Sequence, residues 1–113
     1  MTHYMKLNPS PFFMIKSGKK TYELRLLDEK RRQIAIGDTL VFTNTESGEQ
    51  ISCTVKDLHV FPGFEELYSS LPLDKCGYLP EQICGASAKD MELYYTIKEQ
   101  REYGVVGIEI ALL

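Results

Sequence analysis

The chain has no tryptophan and only two histidines, His3 and His59, among its 113 residues. Its three cysteines, Cys53, Cys76 and Cys84, form no C-x-x-C pair, and neither histidine lies near one in sequence. A structural zinc site needs four ligands at characteristic spacing, so no metal is expected. An odd, unpatterned cysteine count also speaks against a disulfide framework. No apolar run approaches the length that spans a bilayer, which excludes a helical membrane anchor. Met1 to Lys6 lacks the apolar core of a signal peptide, so a cytoplasmic location with no membrane partner is expected. Repeats, low-complexity tracts and linkers are absent too. With 43% apolar and 26% charged residues, residues 1–113 read as one ordinary globular domain. That length buries a core without covalent staples.

What is present is an uneven charge. The net charge is −3, which argues against bulk affinity for nucleic acid. Residues 16–32 hold seven basic side chains against Glu23, Asp28 and Glu29, a local +4 that leaves −7 elsewhere. Such a segment is either a pair of solvated loops or a local patch for phosphate.

Apolar spacing gives the element order. Residues 2–7 fit a short strand. Asn8-Pro9-Ser10-Pro11 reads as a helix start, with Asn8 or Ser10 as N-cap, and the helix runs to Ser17 before Gly18. A strand covers 20–26. Asp28 to Gln33 reads as a charged loop. Strands at 39–43 and 50–55 flank a hairpin loop at 45–49. Leu40 and Phe42, then Ile51, Cys53 and Val55, supply inward faces. The apolar phase then slips to Leu58 and Val60, which predicts a bulge or bend near Lys56-Asp57. Pro62-Gly63 ends that strand, and His59 reads as a strand-end residue without a ligand role. Short helices are expected at 64–68, 80–84 and 89–95. Thr96-Ile97-Lys98-Glu99 is a capping box that opens another. Val105 to Leu112 is the last strand, with Val106, Ile108, Ile110 and Leu112 on one side. Strands segregated from helices indicate an α+β fold with a curled sheet.

The most informative stretch is Ser17 to Arg25. Period-two alternation puts Tyr22, Leu24 and Leu26 on one face of the strand, an ordinary core face. Thr21, Glu23 and Arg25 share the other. That face is either an exposed ion pair or the lining of a polar cavity, and we read it as a cavity lining. Lys19 and Lys20 sit where a cation also favours a helix C-terminus. Tyr94, Tyr95 and Tyr103 cluster before the last strand. They offer either packing with a bonded hydroxyl or a surface on which a base stacks.

Four segments in order carry a resemblance: Gly18-Lys19-Lys20-Thr21-Tyr22-Glu23-Leu24-Arg25, Ile36-Gly37-Asp38-Thr39-Leu40-Val41-Phe42, Phe64-Glu65-Glu66-Leu67, and Tyr103-Gly104-Val105-Val106-Gly107-Ile108-Glu109-Ile110. Nearly the whole chain resembles the ASCH domain family. The resemblance implies a PUA-like curled β-barrel of about five to six strands with flanking short helices. It also implies a cleft that binds RNA or a nucleoside or nucleotide, without a cofactor. Lys19, Lys20, Glu23, Arg25 and Tyr103 are the ligand-binding candidates. Some family members are amidohydrolases that deacetylate acetylcytidine, and a ribonuclease activity is known in another branch. In the amidohydrolases a Lys and a Thr three residues apart act with a Glu from the helical region. Here Lys20 matches the Lys, but Glu23 stands where that Thr would be. A carboxylate does not replace a hydroxyl nucleophile, so an enzymatic reading makes Glu23 a general base toward water beside Lys20. Glu81 and Glu92 are the alternatives for the third member.

Overall fold

A computed structural model describes the whole chain, Met1 to Leu113. β1 (Thr2–Leu7) passes through Asn8 into α1 (Pro9–Lys16). Pro9 fits the first helical position, where a missing N–H breaks no helical bond. Asn8 is at the N-cap but does not cap with its side chain. Its Oδ1 instead accepts from the Thr45 hydroxyl at 3.4 Å. Gly18 follows the helix with φ 81°, a backbone that L side chains resist. The chain then reverses into β2 (Tyr22–Leu26).

Residues 28–33, expected as a loop, contain a four-residue helix, α2 (Glu29–Arg32). Asp28 explains it. Its Oδ1 accepts from the Arg31 N–H at 3.0 Å, a side-chain N-cap, and three basic residues follow toward the C-terminal end. β3 (Thr39–Asn44) and β4 (Gln50–Phe61) form the hairpin, and α3 (Phe64–Ser70) follows. Three 3₁₀ turns cover Leu73–Lys75, Pro80–Gly85 and Ala88–Leu93. The last of these replaces the helix expected at 89–95. The Thr96 capping box opens α4 (Ile97–Tyr103), and β5 (Val105–Leu112) ends the fold.

The five strands form one sheet in the order β1-β3-β4-β5-β2. β1 and β3 are parallel; the other pairs are antiparallel. The β4–β5 register shifts between Val55 and Asp57, where the apolar phase of the sequence slips. His59 lies inside β4, opposite Gly107, and does not end the strand.

Each face of the sheet has its own core. Met5, Leu40, Phe42, Cys53, Val106 and Ile108 pack inside the curl against Phe12 and Ile15 of α1. Leu24, Leu26 and Val105 pack outside it against Phe64 and Leu67 of α3 and Cys76. Burial of one such large apolar side chain contributes about 1.5–3 kcal/mol. β5 is therefore covered on both sides from Val105 to Ile108. Gly107 belongs to that arrangement, since a Cβ there would lie 2.5 Å from Leu71 Cδ1. Val60 and Leu112, expected inward, are exposed because neither core extends to them.

β1 and β2 are the two ends of the sheet, and no backbone pairing joins them. Side chains bridge the gap instead. Arg25 Nη2 donates to the Lys6 carbonyl at 3.2 Å, and Lys30 Nζ donates to the Tyr4 carbonyl at 3.0 Å. The fold is thus a half-barrel with a seam closed by cations from the β2–α2 side.

Candidate functional site

A cavity of about 490 Å³ opens along this seam. That volume is within the usual range for small-molecule sites. Its floor is Glu23, Leu24 and Arg25 of β2. One wall is the β1–α1 junction around Lys6, Asn8 and Met14. The helical insert supplies the other wall, with Tyr68, Cys76–Tyr78, Asp90, Met91 and Leu93–Tyr95.

Glu23 is its centre. The residue is only 3% exposed. Its Oε1 lies 2.8 Å from Lys20 Nζ, and its Oε2 accepts from Arg25 Nε at 3.1 Å and Nη2 at 2.9 Å. Burial, the largest influence, pushes the carboxyl up, but the Lys20 and Arg25 cations and their hydrogen bonds outweigh it. The net effect holds Glu23 below the usual carboxylate range, so it stays ionised at neutral pH. Burial also acts on Arg25, downward, and Glu23 with the neighbouring Tyr95 hydroxyl more than reverses it.

Local structure sets this geometry. The Lys20 N–H donates to the Met14 carbonyl at 3.0 Å, which fixes the turn out of α1. The Thr21 N–H donates to the Lys75 carbonyl at 2.9 Å and ties the start of β2 to the insert. The Lys20 stem runs beside Gly77, whose φ of 109° requires a residue without Cβ. Opposite Glu23, the Tyr68 and Tyr78 hydroxyls are 2.7 Å apart, and Tyr78 donates to Asp90 Oδ2 at 2.7 Å. Burial first, then these hydrogen bonds, push the Tyr78 phenol up, so it remains a neutral donor. Burial also pushes the Cys76 thiol up to about 11, which rules out a resting thiolate nucleophile in the cavity.

Lys20, Glu23 and Arg25 are therefore brought together; strand alternation anticipates Glu23 beside Arg25, and Lys20 reaches them from the turn before β2. Lys19 is exposed and outside the lining. Tyr103 is also outside it. Its side chain packs on the outer core, and its carbonyl accepts from Arg32 Nη2 at 3.4 Å. Tyr94 and Tyr95 do line the cavity. Neither acidic alternative does: Glu81 is exposed elsewhere, and Glu92 borders a separate pocket with Glu65 and Arg101. The carboxylate that the insert does supply is Asp90. The sequence carries a faint signal for it, Ser87-Ala88-Lys89-Asp90, a second capping box that anchors the last 3₁₀ turn. Away from the cavity, Asp57, His59 and Glu109 place ligand atoms within 4.8 Å of one another and could hold a metal ion. His59 Nε2 is 2.9 Å from Glu109 Oε1, so a hydrogen bond accounts for that contact as well.

The ASCH domain profile matches residues 5–113. The hypothetical protein PH0355 superposes with a TM-score of 0.82 at 33% identity, covering all of both chains. PF0455 from Pyrococcus furiosus gives 0.74 at 34% identity, over all of this chain and 98% of the other. A tyrosine-to-phenylalanine mutant of ZmASCH from Zymomonas mobilis gives 0.68 at 15% identity, over 96% of this chain and 68% of the other, a likeness of fold. Nothing among the curated proteins matches. The α+β, PUA-like fold with a curled sheet expected from the sequence is the one observed, with five strands forming a half-barrel. With a profile match across nearly its entire length, the chain belongs to the ASCH domain family.

Proposed function

We propose that the seam cavity binds a nucleotide of RNA, or a free nucleoside, and that binding is its task. One observation carries this reading: a buried carboxylate held between two cations faces a cavity of nucleoside dimensions. Glu23 offsets one of the two positive charges, which leaves a single net charge from the three groups. That suits a polar, uncharged base better than a bare phosphate. Exposed Tyr94 at the mouth offers a stacking surface. Lys6 and Lys19, outside the cavity floor, suit the flanking phosphates.

The alternative, hydrolysis of an acetylated nucleoside or of RNA, asks Glu23 to act as a general base. An effective base has a pKa near the working pH. Glu23 is pulled the other way by the two cations that its oxygens hold, which makes it a weak base. The site therefore favours recognition over proton transfer. A backbone-amide NMR titration with short single-stranded RNAs and with free nucleosides tests the proposal. Shifts should cluster at residues 20–25 and at Tyr94 and Tyr95. An unchanged spectrum at low salt would refute it.

A further inference from the structure

We propose that the free edge of β2 at Leu24 reads the Watson–Crick edge of an unpaired nucleobase. This rests on the binding reading above and adds the reading element and the required state of the base.

In an antiparallel ladder, successive residues alternate between bonding the neighbouring strand and pointing away. Two bonds fix the phase here. Ile110 N–H donates to the Thr21 carbonyl at 2.9 Å, and Leu27 N–H donates to the Gly104 carbonyl at 3.0 Å. Glu23 and Arg25 share that phase and pair with Ile108 and Val106. Leu24 has the opposite phase, so its N–H and C=O point away from β5. No strand lies beyond β2 to receive them. In an extended chain the N–H and C=O of one residue point the same way, so a donor and an acceptor stand side by side.

The cavity meets this edge head-on. Glu23, Leu24 and Arg25 all line it, although their side chains alternate between the two faces of the sheet. Only a cavity lying against the strand edge touches three consecutive residues of a strand in this way. Leu24 is 7% exposed, so its unpaired amide is largely removed from bulk water. Backbone polar groups in that condition are normally satisfied by a partner.

A ring edge with adjacent donor and acceptor pairs with both groups at once. Unpaired bases present such an edge, and single-stranded RNA is commonly read through it. In a duplex that edge is already occupied, so duplex is excluded. Beside Leu24, Lys20 can donate to a ring carbonyl and Glu23 can accept from an exocyclic amine. Residues 20–24 thus supply backbone and side-chain contacts to the same base.

The test uses the full chain, labelled with ¹⁵N and titrated separately with cytidine, uridine, adenosine and guanosine, and with one RNA strand before and after annealing to its complement. At least one nucleoside, and the single strand, should move the Leu24 amide proton downfield. They should also slow its solvent exchange about tenfold, the equivalent of one net hydrogen bond of roughly 1.4 kcal/mol. The duplex should do neither. Replacing the Leu24 amide by an ester keeps the side chain and should weaken binding about tenfold. If Lys20, Glu23 and Tyr95 respond while Leu24 does not, the edge reading is overturned and the cavity's binding role stands. If the duplex shifts Leu24 as the single strand does, the edge reading is likewise overturned. If nothing responds, both fall.

Discussion

Glu23 shows how one residue sets the character of a site. Removing it would leave Lys20 and Arg25 facing each other in a largely buried space, with no counter-charge between them. Loss of one partner from a buried ionic group usually costs 3–5 kcal/mol. Lys20 and Arg25 keep some solvent access, so Glu23→Ala should destabilise by about 3 kcal/mol, the low end of that range. Urea unfolding would measure this, and an unchanged midpoint would show that the cluster contributes nothing. The same carboxylate sets an acid limit. Its folded pKa lies below its ordinary value, so its contribution to stability is complete above roughly pH 4.3, the unfolded value. That contribution is lost as pH falls through the folded value. Asp38 adds to the same limb. A hydrogen bond to His3, then the Ala35 N–H, lower its pKa to about 2. Stability should therefore fall steadily between pH 4 and pH 2, and the fall should be shallower in Asp38→Asn. An identical acid limb in both proteins would remove Asp38 from the explanation.

At the scale of elements, the sequence is legible where local chemistry decides. The Thr96 capping box, the Gly18 stop and the phase slip before Leu58 each mark a feature that the structure contains. The polar face of β2 is legible for the same reason, because period-two alternation needs only the strand itself. Features that depend on distant chain are not. Asp90 meets Tyr78 and the cavity only after the insert folds back over β2. The bridge from Arg25 to Lys6 joins residues at opposite ends of the sheet order. The Leu24 edge is free only because β2 is the last strand, which no local pattern reveals. Tyr103, grouped with Tyr94 and Tyr95 by sequence proximity, is turned to the outer core by α4. The α4–β5 junction carries a further prediction. Gly104 has φ 74° and ψ −179°, a region open almost only to glycine, and a Cβ would lie 3.2 Å from the Phe61 carbonyl. Gly104→Ala should cost about 2 kcal/mol. A thermal midpoint equal to that of the parent would contradict this strain.

At the scale of the molecule, the half-barrel leaves its two end strands apart and uses the gap. Backbone pairing across the seam would have closed the barrel and covered the edge of β2. Side-chain bridges from Arg25 and Lys30 hold the seam instead and leave the space above it open. Stability and binding therefore meet in the same residues. Arg25 commits donors to Glu23 and to the Lys6 carbonyl, which makes it a positioning group. Lys20 has one near partner, Glu23, and ammonium hydrogens to spare for a ligand. Lys20→Ala leaves Glu23 paired with Arg25, so it disturbs the cluster less than Glu23→Ala, and urea unfolding of the same variant separates binding from folding. The dissociation constant of a short single-stranded RNA for the parent and for Lys20→Ala, measured at one fixed salt concentration, is the most direct test of the cavity. The lysine's charged hydrogen bond should be worth at least about 1.4 kcal/mol, a tenfold loss of affinity in a variant that remains folded. Equal affinity in the two proteins would place RNA recognition somewhere other than this cavity.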